Sequence, residues 1–344
     1  MQYRQLGQLE DEASIVAFGA WAVGGWKWGG SDEKESIAAI HAAIDAGINL
    51  IDTAPVYGMG HSESIVGRAI RDRRHRVLLA TKCGLRWEGL PQHQGNYFFT
   101  DDQGRDIHRC LHPESIRDEV HQSLRRLGVD SIDLYQTHWP DPKVPIADSM
   151  GTLLELKQEG KIRAIGASNV SLAELRAYRD VGPLDADQEL FNMLDQGIRG
   201  HHLTFLGRER ISLLAYSSLA LGLLTGRVTA DRVFPPGDFR RDSPRFAPEH
   251  RRAILRLLEQ FQPIANAYSC TIPQLVLAWT FRVPGVTHLL NGIRTPEQAL
   301  ENARAGTIRL ADPDFKTIDR LIREAALNLP SAMVRNQRQT KDES

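Results

Sequence analysis

Four side chains whose types suit proton transfer stand at, or just beyond, the ends of short apolar runs in the sequence. Asp52 ends the run that begins at Ile48, Tyr57 follows five residues later, and Lys82 and His138 end two later runs. A carboxylate at the end of a buried strand is costly unless a partner compensates for its charge. The ammonium of Lys82 would be such a partner, and it would also favour the phenolate of Tyr57 and lower the pKa of that phenol.

Together these side chains would suit delivery of a proton to a carbonyl group. Tyr57 would donate the proton, Lys82 and Asp52 would set its acidity, and His138 would hold the substrate oxygen in line with the phenol. None of them can supply electrons, so a reduction would need a hydride-donating cofactor. A lone Asp–Lys pair is more often structural than catalytic, but the additional Tyr57 and His138 favour the catalytic interpretation.

Such an arrangement requires strands whose ends meet, and the sequence pattern predicts strands of this kind. Short apolar runs alternate with segments of helical period, which is typical of a (β/α)8 barrel. The predicted strands cover residues 14–21, 48–52, 76–82, 132–138, 162–168, 184–190, 211–217 and 287–293, and the sixth is the weakest because it is mostly polar. Active sites of such barrels lie at the carboxyl ends of the strands, so these ends would form one ring.

The alternative fold, a doubly wound sheet, would be expected to carry a G-x-G-x-x-G motif between its first strand and its first helix. Neither "GAWAVGGWKWGG" nor "GMGHSE" has that spacing. We therefore predict an α/β TIM barrel that occupies residues 1–330 as a single domain. An N-terminal β-hairpin from residues 3–6 and 12–15 would plug the barrel floor, and long βα loops, above all residues 226–250, would form the rim. Residues 331–344 read as a polar C-terminal tail.

Helical periodicity is clearest between Pro113 and Gly128. Pro113 suits the first helical turn, Ile116 and Val120 fall on one face, and Gly128 ends the pattern. The later segment "TIPQLVLAWTFR" is apolar nearly all round, which predicts a buried helix.

The composition argues against nucleic-acid-binding, membrane-spanning and disulfide-rich classes of protein. The chain has 344 residues, a formal net charge of -1 and 25% charged residues, so no strongly basic surface supports nucleic-acid or anionic-membrane binding. No apolar run approaches the ~20 residues of a membrane helix, and the N-terminus has no apolar signal region. Three widely spaced cysteines argue against a disulfide framework and for a reducing cytoplasm.

The order of several longer motifs identifies the chain as similar to a known family. "NLIDTAPVYG…SE", "LLATKCG", "DLYQTHWPDP", "GKIRAIGASN" and "GIRTPEQALENA" match motifs of the aldo-keto reductases, and the resemblance runs from about residue 3 to about residue 325. "WAVGGWKWGG", "THWPDPKVPI" and "LLTGR" resemble bacterial members similar to general-stress and inositol-associated reductases. The resemblance implies a catalytic tetrad of Asp52, Tyr57, Lys82 and His138, and an extended NADP(H) bound without a Rossmann fold.

The resemblance also implies the cofactor contacts. The residues it assigns to them are Trp21, Asp52, Ser168, Asn169, Gln188, Tyr216, Ser217, Leu219, Arg227, Gly292, Arg294, Gln298 and Asn302. Ser168, Asn169 and Gln188 would hold the nicotinamide carboxamide, and Tyr216 would stack on the ring. Arg294 would suit a 2′-phosphate because guanidinium binds phosphate in a fork, and it opens a helix whose amides point outward. We therefore expect NADP(H) in preference to NAD(H).

Tryptophans mark the expected substrate pocket. Those on loops that follow predicted strands are Trp26, Trp28, Trp87 and Trp139. They would form a flat aromatic pocket for ring-shaped ketones, aryl aldehydes or sugars, although plain packing at the rim would produce the same pattern. Anionic substrates are less favoured, because Lys27 and Arg86 are the only basic residues noted on these loops.

Other reactive side chains have plainer interpretations. Cys83 lies beside Lys82, but no histidine is placed in sequence to activate it, so we expect a small apolar filler. The stretch "HRCLH" (residues 108–112) invites a zinc interpretation but lacks four ligands in a recognised spacing, so solvated loop residues are expected. His201 and His202 are expected on a helix surface. We predict no metal site.

The sequence thus predicts an NADPH-dependent reductase of aldehydes or ketones, or the reverse reaction on an alcohol, with Tyr57 as general acid or base. Two rivals remain open at this stage. One is a Schiff-base aldolase that uses Lys82, and the other is an NADPH-binding sensor or regulatory subunit with slow turnover. The partner would be a small molecule, and the protein would be a monomer or a weak homo-oligomer.

Overall fold

The structure is a computed structural model that describes residues 1–89 and 95–332. Its strands are β1 (Tyr3–Gln5), β2 (Glu12–Ser14), β3 (Val16–Gly19), β4 (Leu50–Asp52), β5 (Leu78–Cys83), β6 (Leu85–Arg86), β7 (Asn96–Thr100), β8 (Asp106–Arg109), β9 (Ile132–Thr137), β10 (Ile162–Ser168), β11 (Ala186–Leu190), β12 (Ser212–Tyr216) and β13 (His288–Gly292). Its helices are α1 (Glu33–Asp45), α2 (His61–Ile70), α3 (Pro113–Leu127), α4 (Ile146–Gln158), α5 (Leu172–Val181), α6 (His201–Glu209), α7 (Pro248–Glu259), α8 (Gln262–Ala267), α9 (Ile272–Arg282), α10 (Pro296–Ala305) and α11 (Asp312–Ala325).

Parallel strands close into a barrel in the order β3-β4-β5-β9-β10-β11-β12-β13, and β13 pairs back to β3. The predicted (β/α)8 barrel is therefore confirmed, including its weakest strand, β11. That strand is polar because Gln188 faces the barrel interior at its upper end, while Asp187 points outward and meets His202 on α6. His202 is thus partly buried, and its predicted place on the helix surface is wrong.

The N-terminal hairpin is also confirmed, and it closes the barrel floor. β1 pairs antiparallel with β2, and the buried Leu6 and Leu9 between them pack with inward-facing residues of the barrel strands. Gly7 touches the barrel wall directly, with a φ of 56° and its N–H 2.9 Å from Ser212 Oγ. An added Cβ there would lie 2.3 Å from the Cβ of Asp185, so the approach requires glycine.

Helices cover the outside of the barrel as their apolar faces predict. In α3, Ile116 and Val120 are buried and Gly128 ends the helix with a φ of 66°. Burying each such side chain contributes about 1.5–3 kcal/mol. Residues 273–281 of α9 are all buried, so the predicted buried helix is confirmed. None of the helices in the described part of the chain is long and apolar enough to cross a membrane.

Two long loops stand over the carboxyl ends of the strands. The first carries an antiparallel sheet in the order β6-β8-β7, which the sequence did not predict. The second contains the predicted rim segment 226–250, and it reaches the loop after β3 through a bridge between Trp28 and Asp238. Of the predicted tail, residues 333–344 lie outside the described residues, and the single-domain boundary at 330 stays a prediction.

The stretch at residues 108–112 is not the solvated loop that we expected. His108 belongs to β8, and Cys110 and Leu111 are buried, with 0% and 2% of their surfaces exposed. The N–H of Cys110 donates to the carbonyl of Gly84, and the N–H of Leu111 donates to Asp141. The chain is therefore tied down against β6 and the loop after β9 before α3 begins.

Candidate active site

Lys82 is the centre of the candidate site. Its Nζ donates to Asp52 Oδ1 at 2.6 Å, to the Thr53 carbonyl at 3.0 Å and to Tyr57 Oη at 3.3 Å. Lys82 is fully buried and Asp52 is 2% exposed. Strand register explains the contact, because Asp52 pairs with Ala80 across β4 and β5, and Lys82 lies two residues further along on the same face. The buried carboxylate thus has the partner that the sequence required.

The pKa shifts show how burial and charge compete in this group. Burial lowers the pKa of Lys82, but Asp52 and Tyr57 together outweigh it, so the net pKa lies above the usual value. Burial raises the pKa of Tyr57, and the nearby ammonium of Lys82 only partly offsets the rise. Our prediction of a net acidified phenol was therefore wrong in sign. Tyr57 therefore keeps its proton at neutral pH, and the ammonium of Lys82 favours the phenolate form.

His138 stands next to the phenol. Its ring centroid lies 5.7 Å from that of Tyr57, with the two planes at 84°. Burial, and secondly the charge of Lys82, hold the pKa of His138 well below its usual value. The ring is therefore neutral at physiological pH, with one N–H available to donate to an acceptor.

Two glutamines complete the surroundings of Asp52. Gln188 Nε2 donates to Asp52 Oδ2 at 2.9 Å, and Gln136 Nε2 donates to the same oxygen at 3.3 Å. Gln136 is a residue that sequence reasoning missed. It lies two residues before His138 on β9, so a period-2 reading of that strand would have placed it on the inner face.

Ser168, Asn169 and Tyr216 come together at the ends of β10 and β12. Ser168 Oγ donates to the carbonyl of Gln188 at 2.8 Å, and Tyr216 Oη donates to Asn169 Oδ1 at 2.7 Å. Asn169 Nδ2 donates to the main-chain carbonyl of His138 at 3.0 Å. The residues expected to hold the nicotinamide are thus linked to one another and to the tetrad, and the closed barrel supplies the proximity.

The residues expected at the other end of the cofactor gather around α10. The Arg294 guanidinium donates to the main-chain carbonyls of Trp28 and Gly30, at 3.3 and 2.7 Å, and no carboxylate in the described chain pairs with it. Gln298 Oε1 accepts from the Arg294 N–H, and Asn302 is buried on the same helix. Arg227 is exposed and pairs with Glu301 of α10. The remaining assigned positions on this path are Ser217, Leu219 and Gly292, at the ends of β12 and β13.

Aromatic side chains surround Tyr57 at the barrel mouth. Trp26, Trp87 and Trp139 pack into one apolar cluster with Tyr57, and the unpredicted sheet adds Phe98 and Phe99 to it. Phe98 lies 5.3 Å from Trp139, and Phe99 stacks on Trp26 at 6.0 Å between ring centroids.

Trp28 belongs to a neighbouring aromatic group. It packs against Trp21 and Phe239, with centroids 5.3 and 5.5 Å away, and Trp21 reaches Tyr57 at 6.2 Å. Phe239 lies on the rim segment 226–250, so that loop does contribute to the mouth. Sequence reasoning missed Phe98 and Phe99 because no strand signal placed their loop over the barrel. It placed the segment that carries Phe239 on the rim but did not single out that residue.

The basic residues at the mouth also differ from expectation. Arg86 is 4% exposed and pairs with Asp118 at 2.9 Å, so it is not a rim cation. Lys27 instead lies over the rings of Trp26 and Phe99, at 4.7 and 4.4 Å from their centroids. Two arginines also lie over rings of the mouth: Arg109 over Phe98 at 5.2 Å and Arg240 over Trp28 at 4.7 Å. The mouth therefore presents aromatic faces with cations over several of them.

One group in the described chain has the residue types of a metal site. Asp187, Glu189 and His202 bring potential ligand atoms within 4.8 Å of one another, on the outer side of β11. Asp187 and His202 are directly hydrogen bonded at 2.7 Å, which leaves no space for an ion between these two atoms.

Several known proteins resemble this chain over most of its length. The profile of the aldo/keto reductase family matches residues 16–323. An NADH-specific methylglyoxal reductase of Escherichia coli is 42% identical over 315 residues, which cover 90% of this chain and 94% of that protein. Among solved structures, the glycerol dehydrogenase of Gluconobacter oxydans is 37% identical with a TM-score of 0.85, covering 96% of this chain and 98% of its own. A Klebsiella pneumoniae aldo/keto reductase solved with NADP and acetate is 27% identical with a TM-score of 0.66, covering 91% and 93%.

Proposed function

Because the chain belongs to the aldo/keto reductase family, whose reaction is the NAD(P)H-dependent reduction of carbonyl groups, we propose that Tyr57 is its proton donor. The observation that carries this proposal is the position of Lys82, whose ammonium bridges Asp52 and the oxygen of Tyr57. An aldehyde or ketone is the substrate in the reducing direction, and an alcohol is the substrate in reverse.

Each member of the tetrad has a distinct task. The cofactor, when bound, supplies the hydride. Tyr57 holds its proton at neutral pH and gives it to the substrate oxygen as that oxygen gains charge. Lys82 then stabilises the phenolate, and Asp52, with the amides of Gln136 and Gln188, keeps the ammonium charged and in place.

His138 orients the substrate. Because its ring is neutral, it donates one N–H to the substrate oxygen without carrying a positive charge of its own. The ring lies roughly perpendicular to Tyr57, so the two donors approach the same oxygen from different sides. This arrangement fixes the carbonyl before the transfer begins.

The cofactor is NADP(H). Arg294 supports this choice, because its guanidinium meets only neutral carbonyls in the described chain and keeps its full charge for a 2′-phosphate. The Klebsiella relative was solved with NADP, whereas the Escherichia coli relative is named as NADH-specific. Comparing kcat/KM for NADPH and NADH in one assay therefore tests the assignment directly.

The substrate is a small carbonyl compound held between aromatic faces. Trp26, Trp87, Trp139, Phe98 and Phe99 supply those faces beside Tyr57. Relatives carry names that refer to methylglyoxal and glycerol, both small and oxygen-rich. Small ketoaldehydes, sugars and aryl aldehydes are the classes to assay first.

The test is to follow NADPH absorbance with a panel of carbonyl compounds, and NADP+ reduction with the matching alcohols. Sustained turnover with at least one compound supports the proposal, and binding of NADPH with no turnover on any of them would favour the sensor. A Schiff-base aldolase is disfavoured, because the pKa of Lys82 is raised and its ammonium is fully engaged. Trapping of a carbonyl compound on Lys82 by borohydride would reverse that judgement.

We place the protein in the cytoplasm. Its three cysteines are free thiols, as expected in a reducing compartment. A monomer or weak homo-oligomer stays a prediction, and sedimentation of the purified protein would test it.

A further inference from the structure

A buried cluster of titratable side chains lies behind the proposed nicotinamide site and has no part in the scheme above. Asp187 and Glu189 flank Gln188 on β11 and face away from the barrel interior, and His202 approaches them from α6. Asp187 is 0% exposed and Glu189 is 8% exposed. One oxygen of each carboxyl group and one ring nitrogen of His202 lie within 4.8 Å of one another.

Glu189 connects this cluster to the turn that follows β10. Its Oε1 accepts the N–H of Val170 at 2.7 Å. The residue before it, Asn169, has a φ of 60°, in the left-handed region that asparagine adopts more readily than most other residues, so the chain turns sharply here. Asn169 in turn binds the main-chain carbonyl of His138 and the phenol of Tyr216. Glu189 therefore holds one end of a turn whose other contacts reach the active site.

Two ionised carboxylates with oxygens within 4.8 Å of each other in a buried site would repel strongly, which favours a proton on one of them. Asp187 Oδ2 is hydrogen bonded to His202 Nε2 at 2.7 Å. Oδ1 is buried and makes no hydrogen bond in the described chain, although the N–H of Gln188 lies close to this carboxyl group. A protonated Glu189 is the neighbour that can serve it. Burial raises the pKa of both carboxyl groups and lowers the pKa of His202, which keeps the proton on the carboxyl pair and the imidazole neutral.

We propose that Asp187 and Glu189 share one proton, and that Glu189 held in this way is a positioning residue for the Ser168–Val170 turn and hence for the nicotinamide. Glu189 donates through one oxygen to Asp187 Oδ1 and accepts from Val170 through the other. Asp187 stays ionised and accepts from neutral His202. The inference rests on the proposed function, because it concerns how that site is held in shape.

The surroundings add few other charges to the pair. From α6 it meets His202, and from the end of β10 it meets main-chain N–H groups. On α5, the exposed Arg176 stacks over Phe205 at 5.7 Å, and no ion pair in the described chain joins it to either carboxylate. The shared proton dissociates as the pH rises. The pKa of this dissociation belongs to the carboxyl pair and His202 together, and not to one residue.

Two substitutions at Glu189 separate its proposed role from a merely structural one. Glu189→Gln reproduces the protonated acid, because its carbonyl can accept from Val170 and its amide can donate to Asp187. Glu189→Leu keeps the bulk and removes both bonds. The exposed Glu259→Gln is the matched control for loss of a carboxyl group elsewhere on the surface.

The measurements are kcat, the dissociation constant of NADPH, and the face of the nicotinamide from which hydride leaves, followed with deuterium-labelled cofactor. Glu189→Gln should keep kcat within about twofold. Glu189→Leu should lose about 10- to 100-fold in kcat and some face selectivity, since small misplacements of reacting groups are costly. Its NADPH affinity should change by no more than about threefold, because charge-assisted phosphate contacts bind the far end of the cofactor.

The pH profile gives a second readout. At alkaline pH the wild type should lose kcat as the shared proton dissociates and two carboxylates face each other, whereas Glu189→Gln should retain activity to higher pH. Identical alkaline limbs, equal damage by Gln and Leu, a fully active Leu variant, or stoichiometric bound metal in the purified protein would each overturn the inference.

Hydrogen exchange distinguishes failure of this inference from failure of the proposed function. If the wild type turns over no carbonyl compound, the function fails, but the amide of Val170 can still be followed without any substrate. It should exchange faster in Glu189→Leu than in the wild type, and at the wild-type rate in Glu189→Gln. Equal exchange in all three proteins would refute the positioning role whatever the activity.

Discussion

Replacing Lys82 by Met should lower the free energy of unfolding by about 3–5 kcal/mol, the usual cost of removing one partner of a buried ion pair. Lys82 is fully buried and its ammonium lies 2.6 Å from Asp52. Methionine fills nearly the same space with an unbranched chain, so lost packing adds little. The cost arises because, within the described part of the chain, Asp52 is left with the two amide donors of Gln136 and Gln188 and no counter-charge.

The same substitution should reduce kcat by at least about 10²-fold. Tyr57 already has a raised pKa from burial, and Lys82 is the group that opposes the rise. Without an ammonium 3.3 Å away, the phenolate formed on proton transfer loses its counter-charge. Each pKa unit corresponds to about 1.4 kcal/mol, or tenfold, so a further rise of two units would account for this loss.

A double substitution separates stability from chemistry. Urea unfolding followed by circular dichroism gives the first quantity, and NADPH oxidation gives the second. Lys82→Met with Asp52→Leu should recover at least half of the lost stability, because no charge remains buried, while kcat stays low. The exposed Lys316→Met is the control. A single variant that loses less than about 1 kcal/mol, or a double variant that regains activity, would refute the reasoning.

Three further outcomes follow from the structure. Arg294→Ala should raise the dissociation constant of NADPH about tenfold or more and leave that of NADH nearly unchanged, since a charge-assisted bond contributes about 1.5–3 kcal/mol. Arg304→Ala is the control. An equal loss of affinity for both cofactors would contradict the 2′-phosphate assignment. Glu119 has a pKa raised by burial from 4.5 to about 7, so its ionisation destabilises the fold as the pH rises through that interval. Glu119→Gln should therefore gain about 3 kcal/mol over the wild type above about pH 7 and almost nothing below about pH 4.5, measured by urea unfolding, and a pH-independent difference would count against this explanation. Trp139→Ala should raise KM for the best aromatic or ring-shaped substrate more than it lowers kcat, and an unchanged KM would remove Trp139 from the substrate pocket.

The barrel and the proximity of Asp52, Tyr57, Lys82 and His138 were predictable because both follow from strand ends. Asp52, Lys82 and His138 each terminate an apolar run, and a closed parallel barrel must bring such ends together whatever the details of packing. The same rule located Ser168 and Tyr216. Period-2 alternation applied within β9 would also have revealed Gln136.

What the sequence could not predict depends on contacts between distant segments. The sheet β6-β8-β7 forms because its strands pair with one another over the mouth. No alternating apolar pattern in the sequence predicts this sheet. Burial of Cys110 depends on that pairing. The sign of the Tyr57 pKa shift depends on how far burial outweighs a neighbouring charge, which requires coordinates.

The pairing of Asp187 with His202 was hidden for a similar reason. The sequence led us to expect His202 on a helix surface, but only the packing of α6 on β11 decides which face of that helix is covered. An outward-facing acid on a buried strand is the signal that could have been used, because such a group needs a partner from the covering helix.

The most direct test of the central claim is a comparison of Tyr57→Phe with the wild type, in which NADPH binding is followed by fluorescence and turnover by NADPH oxidation. The phenol oxygen is the only group removed, so NADPH should bind within about threefold of the wild-type affinity while kcat falls by at least about 10²-fold. A Tyr57→Phe protein that binds NADPH normally and reduces the same carbonyl compound at the wild-type rate would contradict the account.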